Sequence, residues 1–335
     1  PGVVNIICGE PEIVATTLIG PALASGCSII IKPSEESPVS AYIIGKILSE
    51  INFPPGVVNI ICGEPEIVAT TLSKSKVPRL ITMIGSTTTA KKVFSDSSSS
   101  IKRLSMELGG NAPFIVFDDA NLNAALDLAI GIKFGNSGQI CVAANRFFIH
   151  KNIYDIFLEK YLDRVNKLKL GFGENETPDM GPLITSKSRD RIIDLIEDAV
   201  KNGAKLECGG KIPDDFSEGS WLEPTVLTNV NHKMRIFNEE IFGPVASIMS
   251  FSDDEEVLTL ANKTEYGLAS YIFTTSKERI NLFSENLEFG EVQVNGIKYA
   301  IYLPHGGIKE SGIGHDCSHL ALNDYLTKKR ISIAI

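Results

Sequence analysis

The chain reads as an α/β protein built on open parallel sheets, and three segments carry that reading. Residues 27–31 form a short apolar run after Gly26, residues 57–61 form another, and residues 80–84 a third. Between the first two, Ser37-Pro38 offers an N-cap with proline at the first helical position, and Val39, Ile43, Ile44, Ile47, Leu48 and Ile51 recur on one helical face. The third run leads into Gly85-Ser86-Thr87 and a helix through Phe94, which completes the β-α-β alternation of a parallel sheet. Residues 97–100 make a small low-complexity turn. A second domain opens near Leu108, with a strand over residues 113–117 and a helix over 121–134, and the alternation continues through 146–149, 152–170 and 246–251. The last segment, residues 325–335, ends in Arg330-Ile331-Ser332-Ile333-Ala334-Ile335 and has the alternation of a strand. A strand that ends a chain needs a partner edge.

Composition bounds the function. At 335 residues, with 43% hydrophobic and 22% charged residues, the chain is long enough for two domains with substantial cores. No apolar stretch approaches a membrane span. A net charge of -9 and the lack of any basic run with interleaved aromatics argue against a nucleic-acid binder, so a small-molecule partner is expected. The six cysteines are scattered without a Cys-x-x-Cys pair, which indicates neither a disulfide scaffold nor a zinc site and fits reduced, cytoplasmic thiols.

Residues 1–18 read PGVVNIICGEPEIVATTL, and residues 55–72 repeat them letter for letter. Structural repeats usually diverge and occur at least three times, so two identical copies look like a recent duplication, a gene-assembly error or a cloning scar. The second copy stands in a natural context, because Pro54-Pro55-Gly56 is a turn leading into a buried strand. The first copy is read as the intruder, a segment of doubtful structure.

Candidate chemistry collects at a few positions. Cys141 closes Gly138-Gln139-Ile140-Cys141, and Glu107 lies 34 residues upstream in Met106-Glu107-Leu108-Gly109-Gly110-Asn111. Alone, Cys141 reads as a small buried apolar residue, as most isolated cysteines do. No Gly-x-Gly-x-x-Gly occurs, but Gly85-Ser86 opens a helix, and a helix N-terminus offers free N–H groups and a favourable dipole to a pyrophosphate. The bland alternative is a simple cap. Lys32 and Glu35 follow a strand end, where ligands of open α/β sheets lie, or else form a solvated surface pair. His315, Cys317 and His319 are compact, yet no second cluster has complementary spacing, so no metal site is expected. Lys102 and Arg103 read as exposed strand positions rather than bases or anion anchors.

From about Ile19 to its end the chain resembles the NAD(P)-dependent aldehyde dehydrogenase family. The resemblance is carried, in the family's order, by Lys32-Pro33-Ser34-Glu35, Gly85-Ser86-Thr87, the Glu107 and Cys141 segments, Glu239-Glu240-Ile241-Phe242-Gly243-Pro244, Tyr266-Gly267-Leu268-Ala269, and the run from Gly306-Gly307 to Gly312-Ile313-Gly314. It implies an incomplete Rossmann-like dinucleotide-binding domain over 19–107, an α/β catalytic domain over 108–309, and a C-terminal return and oligomerisation strand over 310–335 in a homo-oligomer. It also implies roles. Cys141 would be the nucleophile that captures an aldehyde as a thiohemiacetal, and Glu107 the base that activates water against the resulting thioester. Lys32, Ser34 and Glu35 would meet the adenosine ribose, Gly85 and Ser86 the pyrophosphate, and Glu240 and Phe242 the nicotinamide end. Glu35 would repel a 2′-phosphate, so the expected cofactor is NAD, with NADP possible. Glu107 points to a free acid as product, because members that acylate coenzyme A lack that glutamate. The run from Gly109 to Ala120 is similar to that of succinate-semialdehyde dehydrogenases, which makes a semialdehyde the first expectation, although no arginine anchor for its carboxylate can be placed.

Three departures qualify the resemblance. The asparagine that family members supply to the oxyanion hole would fall at about Gly9, and Asn5 nearby has the wrong context, so two other readings stay open: a catalytically impaired relative and a cofactor-independent thiol esterase using Cys141. The family usually has Arg-Glu where this chain has His315-Asp316. His305 stands where many members have phenylalanine, either lining a substrate entrance or as a tolerated substitution.

Overall fold

The computed structural model describes residues 4–7, 18–173, 177–216 and 218–335. It divides into two compact units, one of Pro1–Gly109 with Tyr299–Ile335 and one of Gly110–Lys298.

The first unit alternates strand and helix: β1 (Val4–Ile7), α1 (Gly20–Ala24), β2 (Ser28–Ile31), α2 (Val39–Glu50), β3 (Val58–Ile60), α3 (Pro65–Lys74), β4 (Leu80–Ile84), α4 (Thr87–Ser97) and β5 (Arg103–Glu107). Strands β5-β4-β1-β2-β3 lie side by side and parallel. The repeated segment thus appears twice in one sheet. Its first copy supplies β1, between β4 and β2, and its second supplies β3 on the other side of β2. The segment read as an intruder carries a strand because Val-Asn-Ile satisfies its backbone on any parallel edge, whichever copy it comes from. The expected oxyanion position at Gly9 lies outside the described residues.

Helix α2 departs from the face read in the sequence. Ala41 is buried and Ile44 packs on the core formed by Ile29, Ile31 and Leu80, whereas Val39, Ile43, Ile47 and Ile51 are exposed. The contact with the sheet runs through the small residues, since a Cβ on Gly45 would stand 2.9 Å from Ile60 Cδ1. Apolar periodicity located the helix but not the stripe that it buries.

The second unit contains β6 (Ala112–Val116), α5 (Leu122–Phe134), β7 (Ala144–His150), α6 (Tyr154–Val165), α7 (Ser186–Lys201), β8 (Lys205–Cys208), β9 (Thr225–Thr228), α8 (Arg235–Asn238), β10 (Val245–Phe251), α9 (Asp254–Asn262), β11 (Tyr266–Gly267), β12 (Ala269–Phe273), α10 (Lys277–Asn286) and β13 (Glu291–Val294). Its sheet has the order β13-β12-β6-β7-β10-β9-β8, parallel except for the β8–β9 pair. Both faces are covered. Phe114, Val116, Phe147, Ile149 and Tyr271 build one core, and Ile115, Phe117, Phe148 and Ile272 the other. Burial on two faces is why these strands are continuously apolar rather than alternating.

The chain returns to the first unit at Tyr299, ahead of the expected 310, with β14 (Ile308–Lys309), β15 (Gly312–Ile313) and α11 (Ser318–Tyr325). Strand β15 runs antiparallel to β5, which gives the first sheet its sixth strand. The expected C-terminal strand is not formed: the chain beyond Tyr325 carries no regular structure, and Ile331, Ile333 and Ile335 are exposed. Alternation alone does not make a strand. Its backbone groups need a neighbouring edge, and among the described residues no strand pairs with them. Among the described residues no helix is long and apolar enough to cross a membrane.

Candidate active site

Glu107 and Cys141 lie in different units, and each is held by its own surroundings. Glu107 is the last residue of β5 and is buried, with its carbonyl accepting the Gly85 N–H at 3.0 Å. The residues after it are clamped by the C-terminal return. Leu108 donates its N–H to the Ser311 carbonyl (2.9 Å), and the Ser311 hydroxyl donates to the Gly109 carbonyl (2.6 Å). The glycines of this return are sterically required, because a Cβ on Gly312 would stand 2.1 Å from the Met106 carbonyl oxygen and one on Gly307 2.5 Å from that of Ser311. Glu310 is fixed as well, accepting the Thr87 hydroxyl at its carbonyl and pairing with Lys91 at 2.6 Å. The motif around Gly306–Gly314 therefore does mechanical work on the strand that ends in Glu107.

The same unit holds five of the expected cofactor residues around one cavity of about 510 Å3. Lys32, Ser34 and Glu35 line one part of it, after β2, and Gly85 and Ser86 another, between β4 and α4. Lys32 is buried rather than solvated, and its Nζ donates to the Pro33 carbonyl (2.9 Å) and to Glu35 Oε2 (3.2 Å). Ser86 is the N-cap of α4, accepting the Thr89 N–H at 3.2 Å. Ser86 is therefore a cap that also lines the cavity.

Lys102 and Arg103 bind backbone. Lys102 Nζ donates to the carbonyls of Ser73 and Ser75, both at 2.6 Å, and burial lowers its pKa. Arg103 Nη1 donates to the carbonyls of Asn323, Asp324 and Leu326, at the C-terminal end of α11, where a cation complements the helix dipole. Among the described residues no group of three or more His, Cys, Asp or Glu is arranged to hold a metal ion.

In the second unit Cys141 sits on a loop whose backbone is strained and then pinned. Asn136, Ser137 and Gly138 all have left-handed φ (50°, 57° and 71°), which costs free energy for the two non-glycine residues. Side chains hold them there. Asn136 Nδ2 donates to the Gln139 carbonyl (3.0 Å), the Ser137 hydroxyl to the Gly181 carbonyl (2.7 Å), and Gln139 Oε1 accepts the Ile184 N–H (2.9 Å). On the far side the Tyr271 hydroxyl donates to the Val142 carbonyl at 2.8 Å. Two glycines let other backbone approach: a Cβ on Gly110 would stand 2.1 Å from the Cys141 carbonyl oxygen, and one on Gly138 2.2 Å from that of Gly243.

Gly110 also links Cys141 to Glu240. Its N–H donates to Glu240 Oε1 at 2.8 Å, and its carbonyl accepts Asn145 Nδ2 at 3.4 Å, while Asn145 Oδ1 accepts from the buried Lys133 Nζ at 2.9 Å. Burial raises the Glu240 pKa, opposed by the Gly110 N–H and the charges of Arg191 and Lys133, and burial pushes the Lys133 ammonium down to about 7. Phe242, half-buried, has a φ of 50°, a further strained residue beside Gly243. Asn111 and Arg146 bind backbone. Asn111 Nδ2 donates to the Phe237 carbonyl, and the buried Arg146 guanidinium binds the carbonyls of Asn111, Leu260 and Ala261, the last two at the end of α9. The sequence offered no sign of Lys133 or Asn145, and gave Ser311 only as part of a motif, with no partner for its side chain.

Comparisons with known proteins identify the family. The model of the aldehyde dehydrogenase family matches residues 2–331. Glutarate-semialdehyde dehydrogenase of Pseudomonas putida is 40% identical over 97% of this chain and 67% of its own length. Mitochondrial succinate-semialdehyde dehydrogenase of Oryza sativa is 41% identical over 96% and 61% respectively. Among solved structures, betaine aldehyde dehydrogenase from Staphylococcus aureus in complex with NAD+ superposes with a TM-score of 0.94 at 36% identity, covering 97% of this chain and 66% of that one. An NADP-dependent enzyme of E. coli has a TM-score of 0.94 at 37% identity, over 97% and 68%. The family match, rather than the cysteine loop or the cavity taken alone, sets the class of protein. The chain belongs to the aldehyde dehydrogenase family. It spans about two-thirds of the length of the relatives that it matches.

Proposed function

We propose that this chain oxidises an aldehyde to the carboxylic acid with a nicotinamide dinucleotide, through Cys141 and Glu107. The observation that carries the reading is the pinned, strained loop that presents Cys141, because a structural cysteine gives no reason to hold three consecutive left-handed residues in place. The Cys141 thiolate adds to the carbonyl carbon, and its own backbone N–H would serve as a donor to the developing oxyanion. A nicotinamide dinucleotide held by the residues named below would supply the hydride acceptor for that carbon. Glu107 then takes a proton from water, the hydroxide adds to the thioester carbon, and the C–S bond breaks to release the acid and the Cys141 thiolate.

The residues present fit such a cofactor. The cavity volume falls within the range usual for small-molecule sites, and it combines a buried lysine with a helix N-terminus suited to phosphate. Lys32, Ser34 and Glu35 would hold the adenosine ribose, Gly85 and Ser86 the pyrophosphate, and Glu240 and Phe242 the nicotinamide end. Glu35, paired with Lys32, favours NAD over a 2′-phosphorylated cofactor. The names of the relatives, glutarate- and succinate-semialdehyde dehydrogenase, support an ω-carboxylated aldehyde as substrate.

Reduced-cofactor absorbance with succinate or glutarate semialdehyde tests the proposal. NAD-dependent turnover that Cys141→Ala abolishes is expected, whereas full turnover of that variant, or ester hydrolysis without cofactor reduction, would overturn it.

A further inference from the structure

We propose that His305 receives the proton from Glu107 after hydrolysis and passes it to solvent, so that the general base of this chain is a Glu–His relay. The inference rests on reading Glu107 as the water-activating base. His305 Nε2 stands 3.5 Å from Glu107 Oε2, with the carboxylate side chain only 8% exposed and the imidazole 20% exposed. The pair therefore joins a buried carboxylate to a ring that reaches water. The approach is built into the return of the chain. His305 and Asp316 exchange backbone hydrogen bonds (2.9 and 2.7 Å), which fixes the turn carrying the imidazole. Next to it, a Cβ on Gly306 would stand 2.7 Å from the Gly314 carbonyl oxygen and 3.4 Å from Glu107 Oε1. A side chain at 306 would thus crowd the carboxylate, and glycine leaves it to His305.

The step balances without a co-reactant. Water gives a proton to the Glu107 carboxylate as its oxygen bonds to the thioester carbon and the Cys141 thiolate departs. The neutral imidazole then takes that proton at Nε2, which regenerates the carboxylate, and the imidazolium loses it to solvent. Titratable groups on the segments of this turn, within the same unit, include Tyr302, and His315, Asp316 and Cys317 on its partner segment, with Asp324 and Tyr325 following on α11. Asp324 accepts the Ser105 hydroxyl at 3.0 Å, and the charges of Asp316 and Asp324 bear on the Tyr325 hydroxyl.

Two measurements on the full chain separate the pair from its role. In an NMR titration of the histidine ring signals, assigned by their loss in His305→Gln, Glu107→Gln should lower the midpoint of His305, because an anion nearby favours the imidazolium. An unchanged midpoint overturns the pairing whatever the activity. In stopped-flow NADH formation with NAD and succinate semialdehyde, His305→Phe should keep the burst and slow the steady state by about tenfold, below the range for loss of a direct general base. Added imidazole buffer should restore the steady state, which a merely structural defect would not permit. A steady state equal to that of the parent, or a slowed one that imidazole leaves slow, overturns the relay. If the parent forms no NADH with any aldehyde, the aldehyde-oxidation reading and the relay fall together. If it forms NADH without a burst, deacylation does not limit turnover and the relay is overturned. In either case the titration still decides the pair.

Discussion

At the scale of single residues, Glu107 and Cys141 divide the proposed reaction between them, and substitutions should separate its halves. Glu107→Gln is expected to retain the burst of NADH and lose steady-state turnover by roughly 10²- to 10⁴-fold, the span of general-base catalysis. Loss of the burst as well would mean that Glu107 acts before hydride transfer. Glu35 offers a test of cofactor choice. Its carboxylate stands 3.2 Å from the Lys32 ammonium beside the cavity. Glu35→Ser removes a negative charge and frees the lysine, so the ratio of kcat/KM for NADP over NAD should rise by about tenfold, roughly 1.4 kcal/mol. No change in that ratio would place the adenosine end of the cofactor elsewhere.

At the scale of elements, the loop after α5 depends on close backbone approach. Gly110→Ala would set a methyl group 2.1 Å from the Cys141 carbonyl oxygen, and backbone cannot yield as a flexible side chain can. Overpacking of this kind costs about 1–3 kcal/mol, so a lower Tm together with a larger loss of turnover is expected, because the displaced group carries the nucleophile. The end of α5 supplies a pH test. The Lys133 pKa is pushed from 10.5 to about 7 by burial, with the Glu240 charge acting in the opposite direction. Between those values the unfolded chain holds the proton and the folded chain releases it, so this group makes stability rise as pH increases from about 7 to about 10. The Tm difference between the parent and Lys133→Met should therefore move in the parent's favour over that window. A difference independent of pH would show that Lys133 stays charged in the fold.

At the scale of the whole molecule, the repeated segment and the final residues make the same point about strands. Val-Asn-Ile serves twice in one sheet, flanking β2 on both sides, because each copy finds a neighbouring edge. Residues 326–335 have the alternation and find none within the chain, which leaves Ile331 and Ile333 about four-fifths exposed, at 76% and 81%. A second copy is the expected source of the missing edge. Light scattering of the parent should then give more than one chain per particle, and Ile331→Lys with Ile333→Lys should lower that mass. An unchanged mass would remove the segment from any assembly contact.

The sequence by itself determined most of the elements and the motifs that mark the family. Apolar runs such as residues 80–84, a cap such as Ser86, and the cysteine and glutamate in their motifs are local signals, written within a few neighbouring residues. Only the tertiary structure decided what those residues touch. The buried stripe of α2 follows from where the sheet lies, and the chain's return at Tyr299 follows from the hydrogen bonds of Ser311 to Leu108 and Gly109. The meeting of His305 with Glu107 depends on the same return. A contact between residues two hundred positions apart leaves no periodicity to read. It exists because folding brings two backbones close enough for glycine alone to fit between them.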